Sequence, residues 1–402
     1  MSILRRVQRG AFASQVLAAN LDAHDSQDRG FITDVVYGTL RWQIYLDACL
    51  KPFLKRPDKL PADVRNALRA GAYELLVRQT PPHAAVGEWV GVVKKAQPRL
   101  GGLTNAVLRR LEPAKGLPLA ERYSVPNWLC QDWLELFGPQ VKAVAAGMLE
   151  PEPLFLSVYA KNAAAALEAE GSSATPGPLP GTLAVKPARA LPMLQAFKDG
   201  FVQAQNPSSR LPVLALGEVG GVRVLDLASG NGVKAAQLAA AGAEVISVEL
   251  SAKKVARAKA NLKRLGLQVE HHVHDLTERL GLEPASKVLL DAPCSGTGTL
   301  RGHPEIKQRL RPEDITELAA LQGKLLETAA ALCEPGGSLV YAVCALTSAE
   351  SLGVIGGFLK RHTDFRITPY AAPLPHTQKE QGTFILPIDG LDGFFISVLR
   401  RA

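Results

Sequence analysis

Two cysteines stand where a thiol can do chemistry. Cys294 follows the run KVLLDA (287–292), and Cys344 follows SLVYAV (338–343). Both runs are short and apolar, so both read as buried strands. Each thiol then sits just past a strand's carboxyl end, with Asp291 beside the first. A lone free cysteine is most often an inert core residue, and Cys49, Cys130 and Cys333 are read that way. Equivalent positions on two strands are harder to assign to packing. The cysteines number five and no Cys-x-x-Cys occurs, which argues against a disulfide framework and a structural zinc site. No metal is expected.

Upstream, VRVLDLA (222–228) runs into the glycine-rich turn Asp226-Leu-Ala-Ser-Gly-Asn-Gly232, EVISVEL (244–250) carries Glu249, and VEHHVH (269–274) is followed by Asp275. Three acids at three successive strand ends make one rim of one crevice. Such a rim repels a pyrophosphate, and the turn is neither Gly-x-Gly-x-x-Gly nor a phosphate-cradling loop. It suits ribose hydroxyls, an adenine amine and a positive charge. S-adenosylmethionine (SAM) carries all of these and no phosphate. Helix capping accounts for one or two of the acids rather than three. Asp226, Ser229, Gly230, Gly232, Lys234, Glu249, Asp275 and Asp291 are the candidate cofactor-binding residues, with Lys234 also readable as a solvated lysine.

Two thiols and an acid beside SAM suit methylation of a pyrimidine at C5. That carbon is too poor a nucleophile to take a methyl group directly. A thiolate adding to C6 makes an enamine-like ring whose C5 can attack. The C5 proton must then leave and the thiolate be expelled, so one cysteine serves as nucleophile and a second group assists release. Asp291 can bond the N3 and amino edge of a cytosine.

The elements that must position these groups can be read in outline. From about residue 216, apolar strands alternate with helices (233–241, 251–265), which predicts a parallel sheet covered on both faces. FRITPY (365–370) and GFFISVL (393–399) complete it. This is a doubly wound, Rossmann-like α/β domain over 212–402. A strand order of 3-2-1-4-5 makes the two cysteine-bearing strands neighbours. Residues 1–125 show three- and four-residue apolar spacing between prolines, predicting an all-α domain of five to seven helices. Residues 126–211 read as a connector helix plus a small α+β subdomain with strands at LFLSVY (154–159) and LAVKPA (183–188). SSATPGPLPG (172–181) between them reads as loop.

The net charge is +8, and residues 1–125 hold 19 Lys and Arg against 11 Asp and Glu, so the whole excess sits there. That asymmetry points to a polyanion, most often nucleic acid. The basic face of 253–264 reads as solvated. No run approaches the roughly 18 uncharged apolar residues of a membrane helix. A cytoplasmic monomer is expected.

The run DAPCSGTGTLRGHPEIK (291–307) resembles motif IV of the SAM-dependent RNA cytosine-5 methyltransferases of the NOL/NOP/Sun group. YAVCALTSAES (341–351) resembles their Tyr-Ala-Thr-Cys-Ser motif, and DGFFISVL (392–399) their closing strand. DVVYGTLRW (34–42), VRNALRAGAYELL (64–76), HAAVGEWV (83–90) and GLTNAVLRR (102–110) resemble a NusB-like RNA-binding domain. That fusion is the architecture of the bacterial 16S ribosomal RNA cytosine-5 methyltransferase B family. QNPSSRL (205–211) is similar to its Gln-Asp-x-x-Ser segment. The resemblance implies a class I methyltransferase fold, a small-subunit ribosomal RNA partner, Cys344 as nucleophile and Cys294 as the residue that promotes adduct breakdown. The chain departs from the pattern at Ala228, Ser229, Gly230, Asn231 and Val233 in the glycine turn and at Val343 and Ala345 around the second cysteine.

A stacked cytosine hides C6, so the target must be unpaired or flipped out. Arg301, His303 and Lys307 are candidate RNA contacts on an exposed loop after Cys294. The rival readings are an RNA-binding or ribosome-assembly factor with a degraded SAM site, an amino-group methyltransferase, and a DNA cytosine-5 methyltransferase. The second wants an Asn/Asp-Pro-Pro-aromatic run, which Asp291-Ala-Pro-Cys is not. The third would make Cys294 the nucleophile.

Overall fold

Prolines set the helix boundaries of the N-terminal third. Pro61 precedes the helix Ala62–Leu76, Pro81 and Pro82 open the helix Pro82–Ala96, and Pro52 and Pro57 sit in single 3-10 turns. Proline is tolerated there because a first-turn N–H has no intrahelical partner anyway. The computed structural model describes residues 1–21, 24–151 and 153–402. Among the described residues, eight α-helices precede residue 123, more than the five to seven expected, because short ones such as Ser2–Gln8, Ala13–Ala18 and Leu119–Arg122 carry little periodicity. Leu46, Leu50, Leu68, Ala72, Val86, Val93 and Leu108 form one apolar cluster, and Ile3, Leu4, Val7, Val16, Leu17 and Leu40 another.

The chain divides into two compact units: Met1–Pro151 with Leu300–Arg309, and Glu152–Thr299 with Leu310–Ala402. This differs from the expected boundaries in two ways. The helices Asn127–Phe137 and Val141–Gly147 group with the N-terminal helices, and a ten-residue excursion from the C-terminal region joins them. The middle segment forms one unit with the α/β domain.

In the second unit, β1 (Leu154–Val158), β2 (Ser173–Pro176), β3 (Thr182–Lys186) and β4 (Val202–Ala204) make an antiparallel sheet of order β2-β3-β1-β4. The segment 172–181 is thus not all loop: its first half is an edge strand, where Pro176 costs no ladder bond. Arg264 is half-buried against the β4 edge of this sheet rather than solvated, stacked on Phe197 at 3.9 Å and bonded to the carbonyl of Val202 at 3.0 Å.

The main sheet begins with β5 (Arg223–Leu227), β6 (Glu244–Glu249), β7 (Glu270–Val273), β8 (Ala285–Asp291) and β9 (Cys333–Val343). These run parallel in the order β7-β6-β5-β8-β9, as expected. β10 (Phe365–Thr368), β11 (His376–Lys379), β12 (Gly382–Ile385) and β13 (Phe394–Arg401) follow. β13 lies antiparallel to β9, and the hairpin β11–β12, which its polar residues hid from the sequence, extends that edge. Val224, Leu225, Val288, Leu289, Leu290, Leu339 and Val340 are fully buried, as both faces of a parallel sheet require.

Candidate active site

The register of β8 against β9 pairs Asp291 with Ala342, so the residues just beyond both strands meet. Cys294 Sγ and Cys344 Sγ lie 3.3 Å apart, both half-buried. Cys49, Cys130 and Cys333 are buried free cysteines, in keeping with packing roles. The Cys294 thiol is pushed well up: its hydrogen bond with Cys344 contributes most, then burial, then the negative charges of Cys344 and Glu350.

Asp291 ends β8 and accepts a 2.6 Å ion pair from Lys234 Nζ. Lys234 is buried, lies 3.3 Å from Ser209 Oγ and sits over the Phe394 ring at 5.4 Å. Burial lowers its pKa, but the Asp291 charge and hydrogen bond, then Cys344 and Asp226, outweigh this and hold it raised. Lys234 therefore stands at the thiol end of the site, neither solvated nor part of the glycine turn's own cradle.

The glycine turn follows β5. Ala228 holds φ +59°, an uncommon backbone for a residue with a Cβ, and Gly230 holds +58°. Gly230 N donates to Glu249 Oε2 at 2.9 Å, so β6's terminal acid and the turn are tied together. Ser251 N holds the other oxygen of Glu249 at 3.0 Å. Ser229 turns to the sheet, its Oγ 2.6 Å from Ser247 Oγ. Gly232, at φ +74°, serves packing: a Cβ there would lie 2.8 Å from the Cβ of Ala258. Asp275 stands two residues beyond β7 and accepts from Thr277 N (2.9 Å) and Oγ1 (2.7 Å), which hold its carboxyl low. It is a turn-forming acid and not a helix cap, since among the described residues no helix stands between β7 and β8.

Asp226 is different. It is fully buried and neither carboxylate oxygen has a hydrogen-bond partner. Burial, then the neighbouring charge of Asp291, pushes it up to about 7 against the pull of Lys234. A buried, unpartnered carboxylate is costly unless a ligand completes it. A cationic group does so, and Leu250, 65% exposed beside Glu249, offers an apolar face. Asp226, the Ala228–Gly230 turn and Glu249 therefore fit SAM, whose bound sulfonium supplies an electrophilic methyl group.

The RNA contacts expected after Cys294 need correction. Arg301 and Lys307 are buried in the helical unit, not displayed on a loop. Arg301 pairs with Glu150 at 3.3 Å, and its carbonyl accepts from Arg41 Nε at 2.8 Å. Lys307 Nζ donates to the carbonyl of Arg41, the last residue of the helix Ser26–Arg41. Arg309 bonds the carbonyls of Val7 (2.6 Å) and Gly10 (3.0 Å) where the helix Ser2–Gln8 ends. Lys307 and Arg309 thus bond carbonyls at helix ends, a role that exposed-loop reasoning overlooks. His303 is half-buried and edge-on to Phe12, ring centroids 6.5 Å apart.

Sequence reasoning missed Ser209, Phe394, Gln322, Thr297 and Glu350. Ser209, Thr297, Phe394 and Glu350 lay inside the quoted runs, but only the closed fold shows what each touches.

A parallel 3-2-1-4-5 core with this acid-rimmed turn defines a Rossmann-like methyltransferase that uses SAM. The family model described as 16S rRNA methyltransferase RsmB/F matches residues 213–400, and that of the NusB family matches 1–113. Ribosomal RNA small subunit methyltransferase B of Thermus thermophilus is 43% identical, spanning 100% of this chain and 96% of that protein. Its namesake in Pseudomonas putida is 36% identical over 96% of this chain and 93% of its own length. The crystal structure of PH0851 superposes with a TM-score of 0.80 at 25% identity, covering 97% of this chain and 94% of that one. NSun6 from Pyrococcus horikoshii shares the fold at TM-score 0.61 and 20% identity, over 69% of this chain and 98% of its own. The chain belongs to the ribosomal RNA small subunit methyltransferase B family.

Proposed function

We propose that this methyltransferase modifies C5 of a cytosine in small-subunit ribosomal RNA, in the cytoplasm, through a covalent bond between Cys344 and C6. The observation that carries this reading is the 3.3 Å approach of Cys294 and Cys344 at the ends of adjacent parallel strands, beside the Lys234–Asp291 pair. Cys344 acts as nucleophile, with the buried Lys234 ammonium as the cation it interacts with. Asp291 faces the base edge, N3 and the amino group, where charge builds up on addition.

Cys294 then has a timed role. The largest effects holding it as a thiol include its hydrogen bond with Cys344 and the Cys344 charge. Both vanish once Cys344 sulfur is bonded to carbon. Cys294 can then lose its own proton to water, its thiolate takes the C5 proton, and the electron pair of the broken C5–H bond re-forms the C5–C6 double bond and expels Cys344 as a thiolate. The basic N-terminal unit supplies salt-dependent affinity for the RNA backbone.

The test is methyl transfer from labelled SAM to protein-free small-subunit ribosomal RNA, read by nucleoside mass spectrometry. 5-Methylcytidine is the expected product. SAM binding with methylation at any other atom sinks the cytosine-5 assignment, and absence of SAM binding favours an RNA-binding factor that has lost its chemistry.

A further inference from the structure

Behind the two thiols lies a buried polar network that the proposed chemistry does not use. Glu350 stands on a π-helical turn, Ala349–Gly353, closed by Gly353 N on the carbonyl of Ser348 at 2.9 Å. Such turns are rare and frequent at functional sites. Its carboxylate is fully buried and accepts four hydrogen bonds: Ser295 N (2.8 Å), Ser295 Oγ (2.6 Å), Gln322 Nε2 (3.0 Å) and Thr347 Oγ1 (2.8 Å). A carboxylate offers acceptors only, which matches four donors.

These bonds grip both cysteine loops. Glu350 holds the residue after Cys294, and Gln322 Nε2 holds the carbonyl of Pro293, the residue before it, at 3.0 Å. Gln322 is itself fixed by Tyr341 Oη at 3.1 Å. The Cys344 side is pinned to the same loop: Gly298 N donates to the Cys344 carbonyl at 2.9 Å, and Leu346 N to Thr297 Oγ1 at 2.8 Å. A Cβ on Gly298 would lie 2.0 Å from the Gly393 carbonyl oxygen, so that approach requires glycine. We infer that Glu350 is a positioning residue that holds the Cys294 and Cys344 loops together and so sets the distance between the two thiols.

The inference rests on the two-cysteine reading above for its consequence in turnover, but not for its effect on Cys294. The titratable groups that face Cys294 are Cys344, Glu350 and Tyr341. Glu350 is the member of this set whose charge persists after Cys344 is alkylated by the base. It keeps Cys294 a stronger base for the C5 proton than a solvent-facing thiol would be.

The test is Glu350→Gln, which retains the shape and removes the charge. In RNA-free protein, alkylation of Cys294 by iodoacetamide is followed from pH 7 to 10 by peptide mass spectrometry. The alkylation midpoint is expected to move to lower pH. A midpoint lowered by about one on the pH scale gives about tenfold more thiolate at any pH below it. In single turnover, the covalent RNA adduct is expected to persist longer while SAM affinity is unchanged. An unmoved midpoint with unchanged adduct lifetime, in a variant that melts like the parent, overturns the inference. If the parent forms neither adduct nor 5-methylcytidine, the two-cysteine reading fails, and the alkylation midpoint alone then decides the role of Glu350. Should Glu350→Gln not fold, Ser295→Ala removes one of the four bonds and leaves the charge. Slower adduct release then supports the positioning role, and unchanged release overturns it.

Discussion

Cys294 Sγ stands 3.3 Å from Cys344 Sγ, each thiol carried by a loop that leaves an adjacent parallel strand. Neighbouring strands run about 4.8 Å apart, so two short loops leaving one edge side by side can bring sulfurs into contact without bending either strand. The pair is asymmetric. Cys294 is flanked by the Glu350 network, while Cys344 interacts with the Lys234 ammonium.

That asymmetry predicts different failures. Cys344→Ala should abolish methylation and form no adduct. Cys294→Ala should transfer a methyl group and then remain bound to its RNA, with turnover slowed about 10²–10⁴-fold, the usual worth of a positioned acid or base. Denaturing gel electrophoresis of enzyme with labelled RNA separates the two. Turnover by Cys344→Ala would reverse the roles.

Asp226 should make SAM binding pH-dependent. Its carboxyl is held at about 7, above its ordinary 3.8, by burial and then Asp291. Folded, ligand-free protein therefore keeps a proton through this window that the unfolded chain has lost. Its stability falls as pH rises towards 7, and the ionised form awaits a cation. SAM affinity should rise by up to about tenfold per pH unit below 7 and level off above it, with proton release on binding. Calorimetry in buffers of different ionisation heat measures this, and Asp226→Asn should bind weakly with no pH dependence.

Lys234 and Asp291 should be separable from the thiols. Lys234→Met removes one half of a largely buried pair and should cost about 1–3 kcal/mol in unfolding free energy. Because the Lys234 pKa is raised, its support is fully present below the ordinary lysine value and is lost only as pH climbs past the raised one. The deficit measured by urea unfolding should therefore be the same at pH 6 and pH 9.

Lys307 should show the opposite trend in the helical unit. Burial, and then Arg41, depresses it to about 7. The unfolded chain holds the proton more tightly between 7 and the ordinary lysine range, so stability should rise with pH there, by at most about 1.4 kcal/mol per pH unit. Lys307→Met should flatten that rise. RNA affinity unchanged by this variant would agree with its capping position, and a uniform loss at every pH would argue for a phosphate contact.

Much of this molecule was legible in one dimension. Unbroken apolar runs ending in Asp226, Glu249, Asp291 and near Cys344 placed the parallel strands, because a strand covered on both faces must be apolar throughout. The doubly wound class carries the order 3-2-1-4-5 as its expectation, and in that order, which the sheet has, the two cysteine loops meet. What needed three dimensions was the partner of each charge. Lys234, Arg301, Lys307 and Glu350 are polar letters that a sequence assigns to solvent by default. Their burial becomes affordable only through acceptors and donors brought from far along the chain: Asp291 for Lys234, the Arg41 carbonyl for Lys307, and Ser295 and Gln322 for Glu350. Hydrophobic periodicity is local and fixes which face turns inward. Polar pairing is non-local, and only the closed fold decides which charges serve structure and which are left, like Asp226, for a ligand.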